Sequence, residues 1–246
     1  MRWGCSLKPV AGCVMALLAA VPAAEAGGLV QLKVQTEARS TVVSKNRLER
    51  FLAENGCQAE LVFDQGAPSH LSFSRGQGVG QPLLLAVNRE STAPTPVWVT
   101  RATAGVRALA ELRGRDVSVV AGSDPIGNRL ALAALAEKGV EPGPGQRYET
   151  ADYSSALGLL LHNNTHASVS ELGFVRPFVA SQGLVITWQG QPVEGAGWYA
   201  GRLHTKANTD TDRCLTALAN LEREDDRQTF QIFPEWVYRF VAPQSK

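Results

Sequence analysis

The sequence carries almost no excess of charge, with 24 basic against 23 acidic residues in 246. That balance excludes a broad cationic face for DNA or RNA, whose affinity would come from neutralising phosphates. Cysteine is scarce: of four in the chain, only Cys57 and Cys214 lie beyond residue 26. A small scaffold stapled by many disulfides is therefore ruled out. Beyond the N-terminus, no apolar run reaches the roughly 20 residues of a membrane span. Enzyme signatures are missing too: there is no Gly-x-Ser-x-Gly, no P-loop, no Gly-x-Gly-x-x-Gly opening a helix and no His-Glu-x-x-His. The run Gly76-Gln77-Gly78-Val79-Gly80 opens no helix and reads as a loop. His162 and His166 have a spacing that would share a metal on one helix. Asn163-Asn164-Thr165 between them reads as a helix end, and no third ligand is near. Neither a metal nor a cofactor is expected, and no repeat of solenoid length is present.

What is there begins with a secretion signal. Arg2 and Lys8 form a short basic region, Pro9 to Ala24 is mostly apolar, and Ala24-Glu25-Ala26 has the small-x-small pattern of a cleavage site. Cleavage after Ala26 is expected to leave a soluble, exported, periplasmic chain. Losing Arg2, Lys8 and Glu25 makes the two signs of charge equal. In an oxidising compartment a bridge between Cys57 and Cys214 is the expectation. The alternative is two buried thiols that never meet.

The rest alternates strand and helix patterns. Apolar–polar alternation predicts a strand over 29–36, near-helical spacing a helix over 40–55 ended by Gly56, and a further strand over 58–63. The stretch 64–81 is rich in Gly, Ser and Gln and holds one short apolar piece, Leu71–Phe73. Strands are predicted over 83–87, 97–101, 116–121, 147–151, 166–170, 184–188 and 198–203. Helices are predicted over 106–112, 125–138, 153–162, 173–181, 211–222 and near 226–232. Asp124 before Pro125, and Asp152 before Tyr153, are good N-caps. This order implies an α/β fold of two lobes, each a mostly parallel sheet flanked by helices and joined by two crossing segments. Lobe 1 is expected over 27–97 and 197–246, lobe 2 over 98–196.

In such a fold, ligands gather where strands end and helices begin, because helix N-termini favour anions. The candidate ligand-binding residues are Thr36, Glu37 and Ser40 after the first strand, and Ser123, Gly127 and Asn128 at the start of the 125–138 helix. Tyr153, Ser154 and Ser155 at the next helix start, and Ser170 after a later strand, complete the set. Plain capping competes with this reading at each helix start, since Asp124 and Asp152 can occupy the N–H groups themselves. Among the aromatics, Trp98 and Trp198 are expected to pack at the crossings, and Tyr153 to face a ligand.

The run Val99-Thr100-Arg101-Ala102-Thr103-Ala104-Gly105-Val106-Arg107-Ala108-Leu109-Ala110-Glu111-Leu112-Arg113-Gly114-Arg115-Asp116-Val117 has the form strand, polar turn, "sLadLkGk", strand. Ser123-Asp124-Pro125, Glu149-Thr150-Ala151-Asp152-Tyr153-Ser154-Ser155-Ala156-Leu157 and His166-Ala167-Ser168-Val169-Ser170 follow in matching order. In these segments the chain resembles type II periplasmic solute-binding proteins, in the branch serving phosphate, phosphite and phosphonate ABC transporters. The resemblance implies a non-enzymatic monomer that closes two lobes on a small anionic ligand, phosphate- or phosphonate-like. Its partner would be an ABC permease or a sensor protein. Two departures stand out. The family's Ser-Thr-Ser-Gly cradle is replaced by Asp124-Pro125-Ile126-Gly127-Asn128-Arg129, and the Gly/Ser/Gln-rich stretch replaces most of a helix in the first lobe. They motivate an alternative, a degenerate relative acting as a periplasmic protein-interaction or signalling accessory.

Overall fold

The computed structural model describes Met1 and residues 28–36, 38, 40–122, 124–205 and 208–243. The expected signal segment beyond Met1, Glu37 and Ser123 lie outside these residues.

The chain forms two mixed sheets with helices packed on them. The first holds β1 (Val30–Val34), β2 (Ala59–Val62), β3 (Leu71–Ser74), β4 (Pro82–Val87), β10 (Gly197–Ala200) and β11 (Arg239–Val241), in the order β11-β4-β10-β3-β1-β2. The second holds β5 (Pro96–Arg101), β6 (Val117–Val120), β7 (Arg147–Thr150), β8 (Ala167–Glu171) and β9 (Leu184–Gln189), in the order β7-β6-β8-β5-β9. Expectation and structure differ in strand direction. β1 runs parallel to β2 and β3, and β6 to β7 and β8, but β5 and β10 pair antiparallel with both neighbours. Those two strands enter each sheet straight from a crossing, with no helical crossover to reverse them, so each sheet is mixed.

Among the described residues, five α-helices flank the sheets: α1 (Val42–Glu54), α2 (Leu130–Ala136), α3 (Tyr153–Leu161), α4 (Leu172–Ser181) and α5 (Thr209–Ala219). α1 ends where Gly56 takes φ 77°, a left-handed conformation that costs glycine little. The expected helix over 106–112 is only a 3-10 turn at Leu109–Leu112. The expected helix over 125–138 splits into a π turn at Pro125–Arg129 and the short α2. β3 grows from the short apolar piece Leu71–Phe73, which was not expected as a strand, and β11 was not expected either. β3 is short, but it bridges β1 and β10 and supplies the buried Leu71 and Phe73.

The core of the first lobe is aromatic. Phe73, Trp198, Phe233 and Phe240 meet edge-on, with ring centroids 4.9–6.1 Å apart. Trp198 therefore packs inside that lobe, not at a crossing. Trp98 is likewise buried within the second lobe, where its indole N–H donates to the Ala131 carbonyl at 2.9 Å. Both crossings are instead held by polar contacts. The Val193 amide donates to the Pro94 carbonyl at 2.8 Å, tying one crossing to the other. Glu171, fully buried at the end of β8, accepts from Asn88 Nδ2 and the Thr95 amide, each at 3.0 Å, and caps α4 through the Phe174 amide at 2.8 Å.

Cys57, just after α1, and Cys214, in α5, form a disulfide. The bridge spans 157 residues of sequence and fastens α5 to the α1–β2 corner of the same lobe.

Candidate functional site

A cleft of about 790 Å³ lies between the two sheets, at the ends of their parallel strands. Thr36, Ala38 and Ser40 follow β1, Arg75 follows β3, Val120 and Asp124 lie at the end of β6, and Glu149 to Tyr153 run from β7 into α3. A further wall comes from the chain between α5 and β11: Arg223, Arg227, Gln231, Phe233, Pro234 and Glu235. This placement follows from topology, since neighbouring parallel strands open a crevice at their carboxyl ends.

Asp124 sits at the centre and is buried. Its Oδ1 accepts from the Ile126 amide at 3.0 Å, the Gly127 amide at 2.6 Å and the Tyr153 hydroxyl at 2.8 Å. Its Oδ2 meets the Arg75 guanidinium at 3.3 Å. Asp124 belongs to the second lobe and Arg75 to the first, so this ion pair spans the cleft. Gly127 is required here: a Cβ would lie 2.7 Å from Val120 Cβ and 3.0 Å from the Tyr153 hydroxyl. Burial, and then the Asp124 carboxylate, push the Tyr153 phenol well above its usual 10, so it stays a neutral donor.

The second contact across the cleft is at α3. Glu235 accepts from the Ser154 amide at 2.7 Å and from the Ser154 hydroxyl at 2.6 Å. Asp152 caps the same helix through the Ser155 amide at 2.7 Å. Glu235 is held in place by Arg223, whose guanidinium donates to the carbonyls of Val237 at 2.6 Å and Pro234 at 2.8 Å and lies 5.0 Å from the Phe230 ring centroid. Burial draws Arg223 down to about 10, with Glu235 opposing, so it remains cationic at neutral pH. The segment is tied to α1 as well. Ser44 donates to the Gln228 carbonyl at 2.7 Å, and Arg47 pairs with Asp226 at 3.0 Å.

The residues expected to bind ligand divide accordingly. Thr36, Ser40, Tyr153 and Ser155 line the cleft. The Gly127 amide is spent on Asp124, and Asn128 Nδ2 donates to the Val120 carbonyl at 2.7 Å. Ser154 is engaged by Glu235. Ser170 is buried inside β8 opposite Val97, away from the lining of the cleft. Sequence reasoning did not single out Arg75, Arg223, Arg227 or Glu235. Arg75 had one available signal: it lies two residues after the apolar piece Leu71–Phe73, which proves to be part of a strand. His162 ends α3 and His166 Nδ1 accepts the Asp116 amide at 3.3 Å. No group of three or more metal-ligating side chains occurs among the described residues. None of their helices is long and apolar enough to cross a membrane.

The frame is two-lobed α/β, with a polar cleft at its strand ends. The profile of one family, described as "ABC transporter, phosphonate, periplasmic substrate-binding protein", matches residues 58–246, and the chain belongs to that family. Solved structures agree on the fold. PhnD1 from Prochlorococcus marinus, in complex with methylphosphonate, aligns with a TM-score of 0.58 at 14% identity, over 88% of this chain and 93% of its own. XAC2383 from Xanthomonas citri, bound to ATP, gives 0.59 at 15% identity, over 88% and 91%. A binding protein component of an ABC phosphonate transporter from Pseudomonas aeruginosa gives 0.54 at 10% identity, over 88% and 82%. No curated protein matches the sequence.

Proposed function

We propose that the cleft holds a small phosphoryl-type anion, phosphate- or phosphonate-like, between lobes formed by 27–97 with 197–246 and by 98–196. The carrying observation is the lining itself: Arg227 stands on one wall with the hydroxyl-bearing Thr36, Ser40, Thr150 and Ser155 around it, while Arg75 pairs with Asp124, Arg223 holds backbone carbonyls, and the carboxylates Asp124, Glu149, Asp152 and Glu235 share the lining. Guanidinium and hydroxyl donors are the chemistry that recognises phosphoryl oxygens. The volume also lies within the roughly 300–1,000 Å³ of small-molecule sites. The methylphosphonate held by the similar PhnD1 supports the same class. On this reading the chain is exported, cleaved after Ala26, acts as a monomer and delivers its ligand to an ABC permease or a sensor protein.

A second reading, an accessory that binds protein instead of solute, is favoured by one observation. Both helix starts at the cleft are occupied by the chain's own carboxylates, Asp124 on one and Asp152 with Glu235 on the other. Thermal-shift measurement with phosphate, methylphosphonate, sulfate and amino acids separates the two. A ligand at a hundred times its Kd stabilises by about 2.7 kcal/mol, which is about 5–11 °C for a chain of this size. A rise of that order with phosphate or methylphosphonate supports solute binding, and flat curves across the panel support the accessory.

A further inference from the structure

Glu235 makes a contact that a ligand would be expected to make. Its two carboxylate oxygens take different donors of one residue, Oε2 from the Ser154 amide and Oε1 from the Ser154 hydroxyl. The donors belong to the first turn of α3, in the second lobe, and the acceptor to the 223–235 segment of the first. The acceptor is not a loose side chain reaching over a surface. Arg223 fastens the carbonyls on either side of it, and Ser44 and Arg47 fasten the segment to α1. Moving the lobes apart must therefore pull the carboxylate from Ser154. Glu235 and Ser155 line the cleft at this point, and Ser154 lies between Tyr153 and Ser155 at its edge.

We propose that Glu235 is a tethered competitor: its carboxylate occupies the oxyanion position at the start of α3 and holds the lobes together until a solute oxyanion displaces it. The proposal rests on the solute-binding reading above and adds what sets the affinity of that site. A ligand that needs Ser154 binds only the fraction of molecules in which Glu235 has let go, and its apparent Kd rises by the reciprocal of that fraction. The pair is charge-assisted but exposed to solvent. Its expected effect is about a three- to tenfold weakening of ligand affinity. The same contact gives the ligand-free protein a closed form stabilised from within.

The test uses Glu235→Ala and Glu235→Gln in the chain lacking residues 1–26. Small-angle X-ray scattering of the ligand-free proteins reads lobe separation, and calorimetric titration with methylphosphonate and with inorganic phosphate reads affinity. Glu235→Ala is expected to enlarge the radius of gyration and to tighten anion binding about three- to tenfold. Glu235→Gln, which keeps an acceptor but loses the charge, should fall between. Unchanged scattering together with unchanged affinity overturns the proposal, and so does weaker binding in Glu235→Ala, which would make Glu235 part of the ligand's own support. If no anion binds any of the proteins, the phosphoryl reading of the cleft falls by itself. The scattering then decides on the tether, with expansion supporting it and identical curves overturning it.

Discussion

Replacing Asp124 should unsettle the protein more than any other single change at the cleft. Its carboxylate is almost wholly buried and serves two backbone amides, the Tyr153 hydroxyl and Arg75. Asp124→Ala leaves all four donors without that acceptor. An unsatisfied buried group costs about 1–3 kcal/mol, and removing one partner of a buried ion pair costs about 3–5 kcal/mol. These terms overlap, because they describe the same atoms, so the expected loss is about 4 kcal/mol in all. At about 2–4 °C per kcal/mol the melting temperature should fall by about 8–16 °C. Asp124→Asn keeps an oxygen for the amides but turns an amino group toward Arg75, and should lose about half as much. Arg75→Met completes a double-mutant cycle. Arg75 is 15% exposed against 1% for Asp124, so their coupling should be about 1–2 kcal/mol. Urea melts followed by circular dichroism on the four proteins supply each term. A loss below about 1 kcal/mol for Asp124→Ala, or a coupling below about 0.3 kcal/mol, would refute the account of this buried centre.

Two further outcomes concern the frame. Reducing the Cys57–Cys214 bridge frees a loop of 157 residues, for which chain entropy gives about 5 kcal/mol as an upper figure. The Cys57→Ser/Cys214→Ser protein should accordingly melt well below the oxidised wild type, and equal melting temperatures would show that the bridge contributes nothing. Glu171 provides a pH test. Burial raises its carboxyl above 4.5, outweighing the hydrogen bonds from Asn88, Thr95 and Phe174. The folded state therefore holds this proton more tightly than the unfolded state. The resulting stability is fully present below 4.5 and is lost as pH rises through the raised value. Glu171→Gln cannot titrate and should gain on the wild type from acid toward neutral pH. A difference in melting temperature that stays constant or moves the other way would contradict this.

Much of the frame was legible because it is local. The continuous apolar run of β4, the largely apolar stretch of β6 and the Asp–Pro and Asp–Tyr helix starts each fix an element within a few residues. β3 was not legible, since four residues in a Gly/Ser/Gln-rich stretch become a strand only by pairing with β1 and with β10, more than a hundred residues later. The antiparallel entry of β5 and β10 depends on which sheet each crossing reaches, a long-range outcome that periodicity does not encode. The split of the 125–138 helix has a local cause, Asp124 drawing in two amides of the first turn. Apolar spacing is nearly blind to one π turn.

The cleft was legible only on the side built from strand ends. Thr36, Ser40, Tyr153 and Ser155 follow from the rule that helices begin there. Plain capping, the competing expectation, is what the Gly127 and Ser155 amides do. Glu235 meets a partner 81 residues away and Arg75 one 49 residues away, across two lobes. No local pattern announces such contacts. The missing Ser-Thr-Ser-Gly cradle thus acquires a structural counterpart: carboxylates of the chain itself stand at both helix starts.

The central claim is that this cleft takes up a small phosphoryl-type anion. Isothermal titration of methylphosphonate into the chain lacking residues 1–26 tests it most directly, with Arg227→Glu placing a negative charge on the same wall. The account predicts saturable binding of one anion per chain, weakened about tenfold or more by Arg227→Glu. Binding that Arg227→Glu leaves untouched, or no binding by either the wild type or Glu235→Ala, would contradict it.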